Sequence, residues 1–300
     1  MIAALIIATG KTASRTSFGP PKMVGSISAV QRIIKVFQRA GIERIVVVSS
    51  EDDDTTEKLA AHMNVVFLQG RGDAEMLDNV KKGLVYLQDK CEAALITHVN
   101  IPLFSVETVH KLVSADKPIG IPSHKGAVGH PILIYASYFP SILPYTGAGG
   151  LAGAIKASGL TRKFVDVEDE GILINIQYRS DYQGLLREHN LTEPHPDARI
   201  RLSREKVFYG PGPHQLLELI DETASLKEAC RQMGISYNKG RSIVARIGQE
   251  LGSAAIEGKA GGKDGGYSVV TTEGLDLMQK YRLFCDEVNQ SMNDIFKKYF

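Results

Sequence analysis

The sequence predicts an α/β domain built on a mostly parallel sheet, followed by a smaller helix-rich domain. Three observations carry this reading. Short β-branched runs alternate with amphipathic helical stretches from residue 1 to about 186. From Ile200 the alternation stops and helical periods dominate. Between the two, residues 189–199 form a polar stretch without period that holds Pro194 and Pro196, a linker pattern. The expected domains are 1–188 and 200–300.

In the first domain, Ile2–Ala8 is an apolar run and reads as a buried strand. It breaks into a small-residue loop, Thr9-Gly10-Lys11-Thr12-Ala13-Ser14-Arg15, which with Pro21-Lys22 carries three cations. A helix follows from about Ser28, with Ile33, Ile34 and Phe37 on one face, and stops at Gly41. Arg44–Ser49 is a strand, Glu51–Asp54 an acidic turn, Thr55–His62 a short helix and Val65–Leu68 a third strand. Asp73–Leu87 is amphipathic, with Met76, Leu77, Val80, Leu84 and Leu87 on one side. Ala93–Thr97 is a strand leading to His98-Val99-Asn100-Ile101-Pro102, after which Ser105 caps a helix to Val113. Pro118–Ser123 and His130–Tyr135 flank the turn Lys125-Gly126 as a hairpin. Gly147–Gly150 opens a helix to Ala157. Phe164–Asp166 and Ile172–Gln177 read as late strands, and Ser180–Glu188 as the closing helix.

In the second domain, helices are expected at Pro213–Glu222, Ser225–Met233 and Tyr237–Leu251. Ser225 with Glu228 is a capping box, and Gly234 ends that helix. Ala255–Ile256 and Tyr267–Val270 bracket a hairpin tip with five glycines in nine residues. Glu273–Tyr299 is one long helix. Leu277, Tyr281, Phe284, Val288 and Ile295 repeat at near-heptad spacing, which predicts a helix–helix seam and a homodimer through residues 273–299.

Composition narrows the function. The net charge of +1 gives no global field, so any nucleic-acid surface must be local, and no membrane partner is indicated. The three cysteines, Cys91, Cys230 and Cys285, are far apart and odd in number, which fits reduced thiols in a cytoplasmic protein. No stretch nears the roughly 18 apolar residues of a membrane span.

Strand, glycine-containing basic loop, helix is how a parallel sheet presents N–H groups and positive charge to phosphate. Ala8, Gly10, Lys11, Ser14, Arg15 and Lys22 are the candidate nucleotide-binding residues. Gly10-Lys11-Thr12 is not a Walker A loop, because that pattern needs glycine where Leu5 stands.

The same loop resembles the signature of the MobA/MocA-like nucleotidyltransferases, L-A-A-G-x-S-x-R-M-G-x-x-K, with Gly10, Ser14, Arg15 and Lys22 matching. Four further segments continue the likeness in order. Ala74-Glu-Met76 to Gly83-Leu84 is similar to the segment before the family's metal strand. Asn100-Ile-Pro-Leu-Phe-Ser105 aligns with D-x-P-L-x-S, Gly129-His130-Pro131 with G-H-P, and Asp169 to Tyr182 with D-x-G-x-L-x-D-I-D-T-P-E-D-Y. The resemblance implies a Rossmann-like nucleotidyltransferase domain that passes a nucleotide from CTP or GTP to a molybdopterin-type phosphate, with Mg²⁺, releasing pyrophosphate. It implies catalytic roles for Arg15, Lys22 and His130, with His130 facing the acceptor. It also puts Asn100 and Gln177 at the metal positions.

There the sequence departs from the family. Asn100 replaces an aspartate, and Asn175 and Gln177 replace both acids of D-I-D. Gly147-Ala148-Gly149-Gly150 lacks the acid of the family's G-D-x-G. Mg²⁺ prefers carboxylate oxygens, so the amides argue against it. Asp166, Asp169 and Asp181 stand near in sequence, as substitute ligands or as solvated turn acids.

In the second half, seven basic residues face three acids between Leu226 and Lys263. Helix, turn and basic helix, then a glycine-lysine hairpin, form a winged helix-turn-helix pattern for double-stranded DNA. Tyr237, Asn238, Lys239, Arg241 and Arg246 lie on the recognition helix, Lys259 and Lys263 on the wing. Ile220–Gly274 resembles the DNA-binding domain of ModE-like molybdate regulators, with Ala224 in place of a glycine. Two functions therefore stand side by side: a transferase with a DNA-linked regulatory domain, or a nucleotide- or pterin-sensing transcriptional regulator of molybdenum metabolism with weak or absent catalysis.

Overall fold

The computed structural model describes residues 1–9, 23–50, 54–60, 63–115, 118–178, 182–189, 194–259 and 267–300. These fall into two units, Met1–Glu193 and Pro194–Phe300.

In the first unit, β1 (Ile2–Ile7) is a six-residue apolar run with no breaker. The small pair β2 (Met23–Val24) and β3 (Ile27–Ser28) leads into α1 (Ala29–Arg39). Ser28 and Gln31 complete a capping box there. Next come β4 (Arg44–Ser50), α2 (Asp54–Ala60), β5 (Val66–Gly70), α3 (Met76–Leu87), β6 (Ala93–His98) and α4 (Val106–Val113). Strands β7 (Ile119–His124), β8 (Ala127–Val128) and β9 (Ile132–Tyr135) fold back antiparallel around the Lys125-Gly126 turn. Helices α5 (Phe139–Ile142) and α6 (Gly150–Ala157), edge strand β10 (Arg162–Asp166) and α7 (Gln183–Glu188) complete the unit.

The sheet order is β10-β7-β9-β6-β1-β4-β5, with β8 paired to β7. The β6–β1–β4–β5 side is parallel throughout, and β9 runs antiparallel between β6 and β7. The chain winds outward from β1 through β4 to β5. It then crosses back by α3 to β6 on the other side of β1. The crevice between the carboxyl ends of β1 and β6 is therefore the topological switch point, where open α/β sheets bind ligands.

Two expectations need correction here. Ile172–Gln177 is not a strand. Its first residues belong to a 3-10 turn, Glu170–Leu173, and the rest is irregular. The alternation of Ile172, Ile174 and Ile176 arises because all three are buried, not because a ladder forms. Gly171 packs against the Leu103 carbonyl, closer than any β-carbon fits, so the segment crosses the α4 entrance instead of joining the sheet. Helix α3 begins at Met76 rather than Asp73, because residues 71–75 form a turn held by Asn79.

The second unit opens with a hairpin that was not foreseen, β11 (Leu202–Ser203) with β12 (Val207–Tyr209). Helices α8 (Pro211–Thr223), α9 (Leu226–Gln232) and α10 (Tyr237–Leu251) follow, then β13 (Ile256–Lys259) antiparallel to β14 (Tyr267–Val270), and α11 (Thr272–Tyr299). Ser225 accepts from Glu228 N–H as expected, but the Glu228 carboxylate turns to Arg231 and Gln232, so only one half of the capping box is used. Bonds from Gly234 N–H to Arg231 and from Ile235 N–H to Cys230 close α9 in a Schellman motif. Ala224 adopts the left-handed conformation at φ 49°, and its carbonyl accepts from Ser268, tying β14 to the α8–α9 turn. Tyr209, Leu216, Leu217, Ile220, Cys230 and Ile247 fill the core.

Candidate functional site

The parallel register pairs Ile7 with His98. Ala8 and Thr9, which lead into the basic loop, are thus brought beside the turn His98–Asn100. Ala8 is buried and its N–H donates to Val48, so its backbone anchors the loop entrance. Gly10, Lys11, Ser14, Arg15 and Lys22 lie outside the described residues, as do Asp181 and Lys263.

Asn100 and Gln177 are 77 residues apart in sequence, and the structure brings them together. Asn100 Nδ2 donates to Gln177 Oε1 at 2.9 Å. Asn100 also accepts from Ile176 N–H at 2.9 Å through its carbonyl, and Gln177 N–H donates to Asn175 Oδ1 at 3.0 Å. The two expected metal positions are therefore bonded to each other. Exchanging the oxygen and nitrogen of both amides still leaves an NH₂ group in the gap, where a cation needs oxygens. Among the described residues no group of three or more His, Cys, Asp or Glu side chains is placed to hold a metal. This donor set does not fit Mg²⁺.

His130 lies in the loop before β9, with a cis bond to Pro131. Its N–H donates to Ile172, and its Nδ1 lies 3.4 Å from the Ile96 carbonyl, which places the proton of the neutral ring on Nδ1. Its ring packs edge-on against His98, centroids 4.8 Å apart. Burial, with the neighbouring His130 adding to it, lowers the His98 pKa to about 3. Burial also lowers His130 and His189. His189 was expected in the linker; instead it is buried in the first unit, with Nε2 3.1 Å from the Phe104 carbonyl.

Asp169 has a different task from the metal role considered for it. Its carboxylate accepts from Ser105 N–H at 2.7 Å, Thr108 Oγ1 at 2.5 Å and Gly171 N–H at 2.9 Å. It thereby pins the segment that leads to Gln177 onto the start of α4. Asp166 is exposed at the end of β10.

Sequence reasoning missed Asn79. It lies on the buried side of α3, between Leu77 and Val80, and a polar residue on an apolar helix face was the available signal. Its amide bonds Thr9 and both backbone groups of Arg71.

In the second unit, Gly240 packs against Cys230 Sγ closer than a β-carbon permits, which seats α10 on α9. Gly240, Val244 and Ile247 face inward, leaving Tyr237, Asn238, Lys239, Arg241 and Arg246 exposed. Lys259 ends β13.

Comparison with known proteins agrees with this fold. Residues 4–163, more than half of the chain, match the model of the MobA-like NTP transferase domain, and the chain belongs to that family. A nucleotidyl transferase from Methanothermobacter thermautotroptrophicus superposes with a TM-score of 0.54 at 17% identity, over 64% of this chain and 99% of that one. Rv0371c of Mycobacterium tuberculosis H37Rv, solved with manganese, gives 0.51 at 13% identity, over 62% and 98%. These likenesses show a nucleotidyltransferase fold. A separate match, 29% identical over 92 residues, is to the DNA-binding transcriptional dual regulator ModE of Escherichia coli K12. It covers 31% of this chain and 35% of that protein, so the chain spans about a third of the length of the curated relatives it matches. No helix among the described residues is long and apolar enough to cross a membrane.

The buried imidazoles make stability depend on pH. Folded His98, His130 and His189 hold pKa values below the ordinary 6.5. The unfolded chain therefore takes up protons first. Stability is complete above pH 6.5 and falls as pH drops toward the folded values, by up to about 1.4 kcal/mol per unit for each histidine. Urea midpoints measured from pH 7 to 5 should fall, and should fall less steeply in His98→Gln; a flat wild-type profile contradicts this.

Proposed function

We propose that the first unit binds CTP or GTP without metal-assisted transfer, and that the second unit binds double-stranded DNA, so that the chain is a nucleotide- or pterin-responsive regulator. The observation that carries the first half is the Asn100–Gln177 hydrogen bond. In a transferase, Mg²⁺ would neutralise the triphosphate and polarise it for attack. Here two neutral amides satisfy one another at those positions. Binding rests instead on Gly10, Ser14, Arg15 and Lys22, whose backbone and cations suit phosphate oxygens. In this reading His130, in the loop before β9, faces a second ligand of molybdopterin type, as the sequence resemblance implies. Family membership favours the second reading, nucleotidyl transfer; CTP or GTP as donor and a molybdopterin-type phosphate as acceptor are what the sequence resemblance implies.

The DNA-binding half is supported by the ModE likeness and by the local arrangement. Two helices joined by a tight turn, an outward-facing basic N-terminal segment on the second, and a following antiparallel hairpin are the parts of a winged helix. A homodimer through residues 273–299 is supported by α11, where only Gly274 and Tyr281 are buried. Phe284, Glu287, Val288, Ser291, Met292 and Ile295 line a shallow groove along it.

A pyrophosphate-release assay with CTP or GTP, Mg²⁺ and molybdopterin separates the two readings. The wild-type chain should show no turnover, and Asn100→Asp combined with Gln177→Asp should raise it. Wild-type turnover that disappears in Arg15→Ala establishes the transferase instead.

For the DNA half, a gel shift should weaken with salt, and Lys239→Ala with Arg241→Ala should reduce the salt slope by about two, one per lost phosphate contact. A slope unchanged by both substitutions contradicts the assignment.

A further inference from the structure

Asn79 is 2% exposed, and a carboxamide buried that deeply needs its hydrogen bonds filled. Oδ1 accepts from Arg71 N–H at 3.0 Å. Nδ2 donates to the Thr9 carbonyl at 3.2 Å and to the Arg71 carbonyl at 3.0 Å. Thr9 follows β1 and Arg71 follows β5, and these strands are not neighbours, because β4 lies between them. No ladder bond can therefore fix one loop against the other; a side chain from α3 does so. A donor holding the Thr9 carbonyl fixes the orientation of the last described peptide after β1. Thr9 itself is 5% exposed, so the joint is sealed from solvent.

We propose that Asn79 is a positioning residue that ties Thr9, where the chain leaves β1 for the phosphate-binding loop, to Arg71 in the turn after β5, and that nucleotide binding depends on this tie. The proposal rests on the reading of Gly10–Lys22 as the nucleotide site. The clamp acts on the phosphate end of the ligand, because Thr9 is its point of attachment to that loop. Asn79→Asp separates its two functions: the acceptor for Arg71 N–H is kept, and both donations, including the one to Thr9, are lost.

The test is titration of the full chain and Asn79→Asp with CTP, GTP and the corresponding nucleosides, alongside amide hydrogen exchange. Triphosphate affinity should fall about tenfold, the size of one buried hydrogen bond, while nucleoside affinity changes less than about twofold. Exchange should quicken in peptides containing Thr9 and Arg71 while β6 keeps its protection. Equal losses for triphosphate and nucleoside, or a uniform rise in exchange with a lowered Tm, would mean that Asn79 merely fills the core and overturns the proposal. If the wild-type chain binds no nucleotide, the nucleotide reading fails, and the exchange pattern alone decides the clamp. Asn79→Ser, which removes the reach to Thr9 with a smaller uncharged side chain, is measured the same way should the aspartate variant not fold.

Discussion

Strand β1 is hydrogen-bonded along both edges, and the first unit is arranged by that fact. Ala3 to Ile7 pair with β4 on one side and β6 on the other, and their side chains are at most 1% exposed. Each fully buried leucine or isoleucine contributes about 1.5–3 kcal/mol over leaving it exposed, so this strand cannot shift register cheaply. The register in turn sets the site. Ile7 lies opposite His98, so the peptide chain leaves β1 beside the turn that carries Asn100.

What stands on the far side of that crevice is set by Asp169. A carboxylate that accepts three bonds at a helix entrance is well placed beside the positive end of α4. It orients Glu170–Leu173, which delivers Ile172 to His130 N–H, Ile176 to the Asn100 carbonyl and Gln177 to the Asn100 side chain. An acid that looked available for metal binding is thus spent on architecture. The acids that would serve a metal are amides that bond each other. The chain keeps the fold of the NTP transferase family, while the crevice beside β6 carries amides, not carboxylates, at Asn100, Asn175 and Gln177.

Much of this was legible in the residues. The central strands could be read because continuous apolar runs such as Ala3–Ile7 and Ile45–Val48 admit few other readings. The expected bounds of α10, Tyr237–Leu251, coincide with the observed ones, where Ser236 caps the helix and Gly252 follows it in the left-handed conformation. Ile172–Gln177 misled because alternating burial imitates a strand where tertiary contacts, not a ladder, supply the period. The β11–β12 hairpin is only five residues of strand, too short to show alternation. At the site, Asn100 and Gln177 were marked from sequence by their departure from a carboxylate pattern, but their bond to each other needed the fold. Asn79 was missed because one of its two partner residues, Thr9, stands 70 positions away in sequence.

The central claim is that the family's nucleotide site is retained here without its metal. It is tested most directly by calorimetric titration of CTP and GTP into the full chain, once in EDTA and once in saturating Mg²⁺. The account predicts binding in EDTA, with Kd values in the two conditions agreeing within about twofold, a difference of less than about 0.5 kcal/mol. Binding that requires Mg²⁺, or that tightens more than tenfold with it, would contradict the account and return Asn100 and Gln177 to the role of metal ligands.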